Sequence, residues 1–324
     1  MSNLPSVSAV IVTYNRPDEL SVAIRSILTQ TVRPVEVLVL DDGATLPGMP
    51  HAEELAAAGI RPVFHRNTAG PDLTAMRNLG AELSTGEIVA YLDDDVELFP
   101  DYFERLLEVY ARDPGRRIGG VGGFVVNPKP MTWRRRLRWW INVLFLNAGF
   151  REGRVLPSGF CTDLFATPRP ITAETEVDFF MGATSSFRRE VFDHERFTPG
   201  YHAYALDEDK DFSRRVSLRR PLVTTPLARL YHFESPRMRP DRENYSRRFI
   251  IGRYLFFINY ERKSPWQWPL FWWAAFGYFL CRAAYALAKP DANEAARLRG
   301  ILGAVRDILA GRDLRRPLPP RGTP

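Results

Sequence analysis

Three consecutive aspartates follow an apolar segment and are the residues of this sequence best suited to chemistry. Residues 87–92 predict a buried strand, and Asp93, Asp94 and Asp95 stand where that strand would enter a loop. Because neighbouring carboxylates repel one another and lose solvation, a fold keeps them together mainly when a cation offsets their charge. A short acidic run on a solvated loop is the alternative interpretation. The position of other polar residues must therefore decide between a cation site and a solvated loop.

Polar residues also follow two other segments that are typical of strands. The apolar stretches 7–12 and 35–40 are followed by the polar runs 13–16 and 41–42. Because ligands bind outside the carboxyl ends of strands in open α/β sheets, we expect all three polar clusters to converge on one crevice. Independent solvated loops would have to produce this arrangement by chance. The sequence therefore predicts a functional site at this edge of a sheet.

The elements around these clusters alternate between strand and helix. Pro17 and two acidic residues open a helix whose apolar positions lie on one face, and residues 61–65 and 74–84 predict a weaker strand and a further helix. This alternation predicts an α/β fold with a doubly wound, mostly parallel sheet. The glycine run 119–123 lacks the spacing of a phosphate-binding fingerprint. It predicts a turn and a close-packed strand without a functional role.

The composition is that of a globular protein with local positive charge. The chain has 324 residues, 45% of them hydrophobic and 25% charged, and a formal net charge of +6. These values predict one large α/β domain with an appendage. The basic excess lies in residues 134–138 and beyond Arg237, which suits the phosphates of nucleic acid or lipid head groups. A merely soluble basic surface is an equal alternative.

Cysteine usage and the N-terminus indicate the compartment. Cys161 and Cys281 lack metal-ligand spacing, so neither a disulfide framework nor a zinc site is expected, and a reducing compartment fits. The first residues lead directly into a strand-like run without the pattern of a secretory signal peptide. We therefore expect the catalytic part to lie in the cytoplasm.

The C-terminal third is aromatic and then basic. Residues 266–288 have about the length of a membrane span, roughly 20 residues. They could form an interfacial helix, a single span or a core helix; Arg282 weakens the spanning interpretation, and the crowded aromatics favour an interface. A following basic helix with an apolar stripe suits anionic lipid or packing on the same protein. The stripe consists of Leu298, Leu302, Val305 and Leu309.

These patterns divide the chain into three parts. Residues 1–240 are expected to form the nucleotide-binding and catalytic domain, and residues 241–310 a helical region that is membrane-associated or packs on that domain. Residues 311–324, rich in arginine and proline, predict a flexible tail.

Five motifs, in their order along residues 5–235, resemble the family 2 glycosyltransferases of the GT-A fold. The motifs are Thr13-Tyr14-Asn15-Arg16, Asp41-Asp42-Gly43, Arg77-Asn78, Asp93-Asp94-Asp95 and Glu208-Asp209. The resemblance implies transfer of a sugar from a nucleotide diphosphate donor with inversion at the anomeric carbon. Met76 and Ala44 stand where many relatives have alanine and serine, which affects donor details rather than the class.

The resemblance also implies a donor site and a metal. Asp42 can accept a hydrogen bond from the imide N–H of uracil or thymine, so a UDP-sugar is expected first and a dTDP-sugar next. Mg²⁺ or Mn²⁺, held by Asp95 with help from Asp93, would neutralise the leaving diphosphate as a Lewis acid. Asp93 or Asp94 could instead bind ribose. The nucleotide-sugar residues implied are Thr13, Tyr14, Asn15, Arg16, Asp42, Arg77, Asn78, Asp93 and Asp94.

Three later features belong to the acceptor side and the metal in the implied assignment. Asp209 would be the base that takes the proton from the acceptor hydroxyl. An acidic helix start, with Asp207 as the cap, explains the same residues structurally and is compatible with that role. His232 matches a late histidine that ligates metal in part of this fold's membership, although lone histidines are as often structural. Gly182, Ala183 and Glu208 would border the acceptor, with a tight packing turn as the alternative.

The sequence therefore predicts a metal-dependent inverting hexosyl- or deoxyhexosyltransferase of polysaccharide biosynthesis. It would work on a lipid-linked or surface-glycan acceptor at the cytoplasmic side of the membrane, as a peripheral or monotopic protein. A catalytically silent glycan-binding or scaffold protein predicts a broken motif, whereas Asp93, Asp95 and Asp209 are all present. A sugar nucleotidyltransferase would favour a glycine-rich N-terminal loop, which residues 13–16 are not.

Two other functions are not expected. Nucleic-acid binding is discounted because the aromatic residues cluster in an apolar run instead of alternating with Lys and Arg. Residues 135–139 look superficially like a signature of processive synthases, but the glutamine is missing and the segment precedes Glu208-Asp209. With the apolar residues that follow, this segment suits lipid head groups or an acceptor phosphate.

Overall fold

The structure, a computed structural model, describes residues 4–43, 45–198, 207–234, 241–261, 264–288, 290–312 and 314. Ala44, Arg237 and most of the expected tail lie outside the described residues. The strands are β1 (Val7–Thr13), β2 (Glu36–Asp41), β3 (Arg61–Arg66), β4 (Ile88–Leu92), β5 (Val96–Leu98), β6 (Gly120–Val125), β7 (Arg154–Val155), β8 (Cys161–Thr162), β9 (Thr175–Val177), β10 (Thr184–Arg188) and β11 (Leu222–His232). The helices are α1 (Pro17–Leu28), α2 (Ala52–Ala57), α3 (Leu73–Leu83), α4 (Tyr102–Ala111), α5 (Trp133–Leu144), α6 (Glu208–Ser217), α7 (Arg242–Phe256), α8 (Trp268–Ala288) and α9 (Ala292–Leu309). Short 3-10 helices cover Arg189–Asp193 and Pro265–Gln267, and a π-helix covers Phe257–Glu261.

The main sheet has the strand order β3-β2-β1-β4-β10-β6-β11-β5, with β9 added beside β11. Strands β1, β2, β3 and β4 pair in parallel, so their carboxyl ends share one edge as expected. Strand β10 is antiparallel to β4 and β6, and its first residue, Thr184, pairs with Leu92. This pairing brings the turn before β10 beside the three aspartates. The expected α/β class with a doubly wound sheet is confirmed.

Helices cover both faces of the sheet because side chains alternate along each strand. On one face, the predicted apolar residues Leu20, Ile24 and Ile27 of α1 are buried together with α4. On the other face, α3 and α6 pack through a group of phenylalanines. The buried phenylalanines of that face are Phe180, Phe187, Phe192, Phe197 and Phe212.

The glycine run forms a close-packed strand, as predicted. A Cβ atom at Gly120 would lie 2.7 Å from the Ser186 carbonyl oxygen, and one at Gly122 would lie 2.9 Å from the ring of Phe180. Both approaches are closer than a real Cβ atom makes. The glycines therefore serve packing between β6, β10 and the phenylalanine cluster.

The C-terminal helices α7 and α9 pack against each other, but not through the predicted stripe. The buried residues of α9 include Ile301, Ala304 and Ile308, whereas Leu302 and Leu309 are exposed. The packed face is therefore rotated from the stripe read in the sequence. Adjacent apolar positions on a helix allow two apolar stripes, and the contact with α7 determines which of them is buried.

Helix α8 packs against two apolar clusters and leaves part of its surface exposed. Phe271, Ala274 and Ala275 pack with Phe160 and Phe257. Within the described ranges, Pro265–Ala288 is the one helical segment long and apolar enough to cross a membrane, and 22% of its most apolar window is buried. A substantial apolar surface of α8 therefore faces outward.

We expect Gly300→Ala to destabilise the protein because α9 touches the backbone of α7 at this position. An added Cβ atom would overlap the Glu243 carbonyl, and overpacking of this kind costs about 1–3 kcal/mol. Gly303→Ala is the matched control: its nearest neighbour is the Arg247 side chain at 3.8 Å, so improved helix propensity should add up to about 1 kcal/mol. Chemical unfolding of both variants measures the difference, and equal effects would contradict the α7–α9 packing.

Candidate functional site

The three polar clusters meet in a cleft of about 770 Å³ at the carboxyl edge of the sheet. Among the described residues that line it, the sequence predicted Thr13, Tyr14, Arg16, Asp42, Arg77, Asp93, Asp94, Asp95, Gly182, Ala183, Glu208, Asp209 and His232. Asn15 and Asn78 were predicted with them but are not among these lining residues. The expected convergence of separate strand ends is therefore found in the structure.

Asp94 is held by the loop that follows β1. The Thr13 hydroxyl donates to Asp94 Oδ2 at 2.8 Å, and Arg16 Nη1 donates to Asp94 Oδ1 at 2.9 Å. Burial raises the pKa of Asp94 to about 6, although Arg16 favours the charged form. Both oxygens accept bonds from the protein, so Asp94 ties the first loop to the end of β4. Its binding of ribose stays a prediction.

Asp93, Asp95 and His232 converge on one point. Their ligand atoms lie within 4.8 Å of one another, and His232 Nε2 is 3.1 Å from Asp95 Oδ1 and 3.7 Å from Asp93 Oδ2. The long strand β11 makes this possible because it pairs His232 with Val96, the residue after Asp95. Oxygen ligands with one imidazole suit Mn²⁺, and the carboxylates also suit Mg²⁺. We call these three residues the metal-ligand group.

Burial and neighbouring charges raise the pKa values of His232 and Asp93 in the metal-ligand group. Burial disfavours the imidazolium, but the hydrogen bond to Asp95 and the charge of Asp93 outweigh it and raise the pKa of His232. Burial likewise raises the pKa of Asp93. A divalent cation would bind the neutral imidazole and the two carboxylates, so its binding would release protons.

Arg77 lies between the metal-ligand group and α6. Its Nη1 donates to Glu208 Oε1 at 2.7 Å, and its Nη2 is 3.9 Å from Asp93 Oδ1. The guanidinium is buried and also lies over the ring of Phe197. The resemblance placed Arg77 among the nucleotide-sugar residues. The structure shows that it also joins two acidic parts of the cleft.

Asp209 and the metal-ligand group border the same space, next to Gly182. A Cβ atom on Gly182 would lie 3.4 Å from Asp209 Oδ2, 3.7 Å from Asp93 Oδ1 and 2.9 Å from Arg77 Nη2. Any side chain at Gly182 would therefore enter the space between the carboxylates. Burial raises the pKa of Asp209, while the charges of Lys210 and Arg77 oppose this change.

Asp207 does not cap α6 with its side chain, so this part of the prediction is wrong. The residue occupies the N-cap position in the left-handed conformation, with φ 70°, and makes no side-chain capping bond. Its carboxylate is instead 3.1 Å from both Lys210 Nζ and Arg253 Nη2, and Lys210 is also 2.8 Å from Asp163. The two cations outweigh the effect of burial and lower the pKa of Asp207. We call these four residues the buried charge network.

The buried charge network was not predicted from the sequence. Arg253 comes from α7 and so connects the C-terminal helices to the residue immediately before Glu208 and Asp209. The available signal was a single arginine within the apolar run 249–256, because a lone charge there needs a buried partner. Which partner it finds depends on the packing of α7.

Asp42 is anchored by residues that the sequence reading overlooked. Its Oδ1 accepts hydrogen bonds from Asn67 Nδ2 at 2.6 Å and from the Asp72 N–H at 3.1 Å. Burial raises the pKa of Asp42, although these two bonds favour the charged form. Asp72 also caps α3 by accepting from the Ala75 N–H at 3.0 Å. The start of α3 therefore orients the carboxylate at the end of β2.

The two predicted asparagines make structural contacts. Asn15 has a left-handed conformation with φ 56°, and its side-chain oxygen accepts from the Thr45 N–H at 3.2 Å. Asn78 exchanges two hydrogen bonds with the backbone of Phe197, at 2.8 and 2.9 Å. Asn78 therefore holds the segment before α6, and direct contact of either asparagine with a ligand stays a prediction.

Helix α7 contributes a second wall that the sequence analysis also missed. Tyr245, Arg248 and Phe249 line the cleft together with Arg253. The site is therefore built from the sheet and from a helix of the C-terminal region.

A family model and curated relatives match this chain. The family model described as glycosyl transferase family 2 matches residues 8–195, more than half of the 324-residue chain. Among curated relatives, the glucosyl-dolichyl phosphate glucuronosyltransferase of Haloferax volcanii is 34% identical over 122 residues. That match covers 37% of this chain and 38% of the relative, so the chain matches well under half of the relative's length.

Solved structures show the same fold. The mannosyltransferase PcManGT from Pyrobaculum calidifontis, in complex with GDP-Man and Mn²⁺, has a TM-score of 0.55 and 16% identity, covering 96% of this chain and 88% of that one. GalNAc-T7 with UDP, GalNAc and Mn²⁺ has a TM-score of 0.54 and 18% identity, covering 96% of this chain and 59% of that one. The expected GT-A fold is therefore confirmed.

We expect Asp95→Asn to weaken Mn²⁺ binding by at least about tenfold, because it removes a charged ligand from the metal-ligand group. Glu97→Gln is the matched control, since Glu97 is an exposed carboxylate two residues along. Titration calorimetry with MnCl₂ measures both. Affinity should fall with decreasing pH as His232 gains a proton. Equal losses in the two variants would place the metal elsewhere.

Proposed function

The chain belongs to the family 2 glycosyltransferases, and we propose that it transfers a sugar, with inversion, from a nucleotide diphosphate donor to a hydroxyl group. One observation carries this proposal: the metal-ligand group and the carboxylate of Asp209 face one space beside Gly182. The leaving diphosphate needs positive charge on one side of the anomeric carbon. The attacking hydroxyl needs a proton acceptor on the other side. The arrangement supplies a cation site on one side and a proton acceptor on the other.

We infer that the donor is a UDP-sugar, with a dTDP-sugar as the second choice. Asp42 lines the cleft as a buried carboxylate and can accept the imide N–H of uracil or thymine. The structural neighbours carry GDP-Man in one case and UDP in the other, so they do not choose between nucleotides. Recognition of the base would therefore depend on Asp42. The loop at Thr13 and Tyr14 would complete this end of the site.

The proposed metal is Mn²⁺ or Mg²⁺, held by Asp93, Asp95 and His232. When bound, such an ion acts as a Lewis acid that neutralises the leaving diphosphate. The imidazole favours Mn²⁺, and both structural neighbours are complexes with Mn²⁺. Arg77 would add a fixed positive charge beside Asp93.

Asp209 is the proposed base. It would accept the proton of the acceptor hydroxyl as the oxygen attacks the anomeric carbon. Arg77 holds Glu208 beside it, and the buried charge network fixes the backbone just before it. Gly182 and Ala183 would let the acceptor approach because they leave the space open. A silent scaffold would not need these groups to converge.

The proposed acceptor is lipid-linked or a surface glycan, and the enzyme would act as a peripheral or monotopic protein at the cytoplasmic side of the membrane. The name of the Haloferax volcanii relative includes glucosyl-dolichyl phosphate, in which a sugar is attached to a lipid phosphate. Tyr245 and Phe249 give the cleft an aromatic wall on α7. We propose that residues 1–240 form the catalytic domain, residues 241–310 a helical region and residues 311–324 a tail.

Thermal unfolding with UDP, dTDP, GDP and CDP, each with Mn²⁺ and with EDTA, tests the donor site. We expect UDP to stabilise the protein only when Mn²⁺ is present, by about 2.7 kcal/mol at a concentration 100 times its Kd. Asp95→Asn should lose this shift. Asp209→Asn should keep it and lower the release of UDP from a UDP-sugar, with a membrane lipid extract as acceptor, by about 10²-fold or more. A folded protein that responds to no nucleotide would overturn the proposal.

The pH dependence tests the base. Lys210 lowers the pKa of Asp209 through its charge, so Lys210→Met should raise that pKa and move the acid limb of kcat/KM to higher pH. Lys210→Arg keeps the charge and should leave the limb in place. The comparison uses protein shown to be folded by circular dichroism, because Lys210 also pairs with Asp163 and Asp207. An unmoved limb in folded Lys210→Met would show that Asp209 is not the titrating base.

A further inference from the structure

Helix α5 carries its apolar residues on the outside. Trp133, Leu137, Trp140 and Leu144 follow one another at intervals of four, three and four, so they lie along one face, and each is between 52% and 71% exposed. Within α5, whose residues are all described, Trp139 is the buried residue. A helix of a soluble domain normally buries such a stripe. This helix presents it to the surroundings.

Helix α8 has a similar outward stripe. Trp273, Phe276, Leu280 and Leu287 are separated by three, four and seven residues, which again describes one face. Their exposed fractions lie between 42% and 83%. The opposite face of α8 packs through Phe271 and its neighbours. The exposed stripe therefore lies outside the face that packs on Phe160 and Phe257.

The two stripes meet. Trp273 Nε1 donates to the Leu144 carbonyl at 2.9 Å, and the Phe145 ring lies 4.8 Å from the ring of Trp273. A Cβ atom at Gly277 would overlap Phe145, so the glycine allows the close approach. The C-terminal end of α5 therefore contacts α8 where the two stripes adjoin, and we call the eight exposed residues the α5–α8 surface.

The α5–α8 surface is bordered by positive charge. Between Trp133 and Leu144 the chain has four arginines and no acidic residue. Arg134, Arg136 and Arg138 are exposed. Anionic lipid attracts such residues, and tryptophan is enriched at the level of lipid head groups.

We propose that the α5–α8 surface docks on an anionic lipid bilayer. A second copy of this chain is a poorer occupant, because a two-fold contact through the surface would bring its own arginines together. A bilayer instead provides apolar depth for the two stripes and phosphate for the guanidinium groups. The charge and the apolar pattern of α5 therefore select the same partner.

The position of the surface connects it with the cleft. Phe249, which lines the cleft, stacks on Tyr278 of α8 with ring centroids 4.8 Å apart. Helix α8 therefore touches the wall of the cleft on one side and exposes its stripe on another. If the proposed function holds, docking would bring the cleft close to the lipid that carries the acceptor. The docking itself does not depend on that function.

Vesicle sedimentation with the full chain tests the proposal. We expect binding to vesicles of equal parts phosphatidylcholine and phosphatidylglycerol, and weaker binding to phosphatidylcholine alone. Trp133→Ser combined with Trp140→Ser should weaken binding roughly tenfold or more through lost apolar burial. Arg134→Gln, Arg136→Gln and Arg138→Gln together should weaken binding to the anionic vesicles by roughly 100-fold and remove most of its salt dependence.

Matched controls lie on α1, on a different surface. Val22→Ser removes an exposed apolar residue and Arg25→Gln an exposed arginine, and both variants should bind as the unmodified chain does. Nucleotide-induced stabilisation should persist in every variant, so failure of docking is separable from failure of the donor site. Folded protein that does not sediment with anionic vesicles would overturn the proposal. Analytical ultracentrifugation tests for a dimer. A dimer that the tryptophan variants abolish, with vesicle binding unchanged, would also overturn the proposal.

Discussion

Repulsion among carboxylates at one edge of the sheet is the constraint on which the site depends. Asp93, Asp94 and Asp95 follow a buried strand, and α6 adds Glu208 and Asp209 to the same cleft. Four of these five acidic groups lie beside a particular cationic group. The cationic partners are Arg16 for Asp94, Arg77 for Glu208 and Asp93, and His232 for Asp95. A divalent cation would complete this balance, because Asp95 is buried and the partly exposed Asp93 lies close to it.

The C-terminal helices belong to the site as much as to any membrane contact. Arg253 of α7 reaches the carboxylate of Asp207, one residue before the Glu208-Asp209 pair. Phe249 of the same helix lines the cleft and stacks on α8. Breaking a buried charge pair costs about 3–5 kcal/mol, so α7 cannot move away from α6 without a large loss of stability. The outward stripe of α8 is consequently carried by a helix that contacts this wall of the cleft.

Local pattern was sufficient for much of the first half of the fold. The strand ends at Thr13, Asp42 and Asp93 could be predicted because a parallel sheet places consecutive strand ends at one edge whatever the details of its loops. The antiparallel insertion of β10 could not be predicted in this way, although it brings Gly182 to the aspartates. The partner of the Asp207 carboxylate was misjudged, and whether the α9 stripe packs on the protein was left open, because both depend on where α7 lies.

The sequence by itself determined the family motifs, the α/β class, and the residue types that could bind a cation or accept a proton. These follow from short-range spacing and from the chemistry of the side chains. Only the tertiary structure decided that Asn78 holds the backbone of Phe197, that Arg253 pairs with Asp207, and that α5 and α8 present their apolar stripes together. The physical reason is that each of these contacts joins residues far apart in the chain. Local propensity carries no information about which distant group will satisfy a buried charge or cover an apolar face.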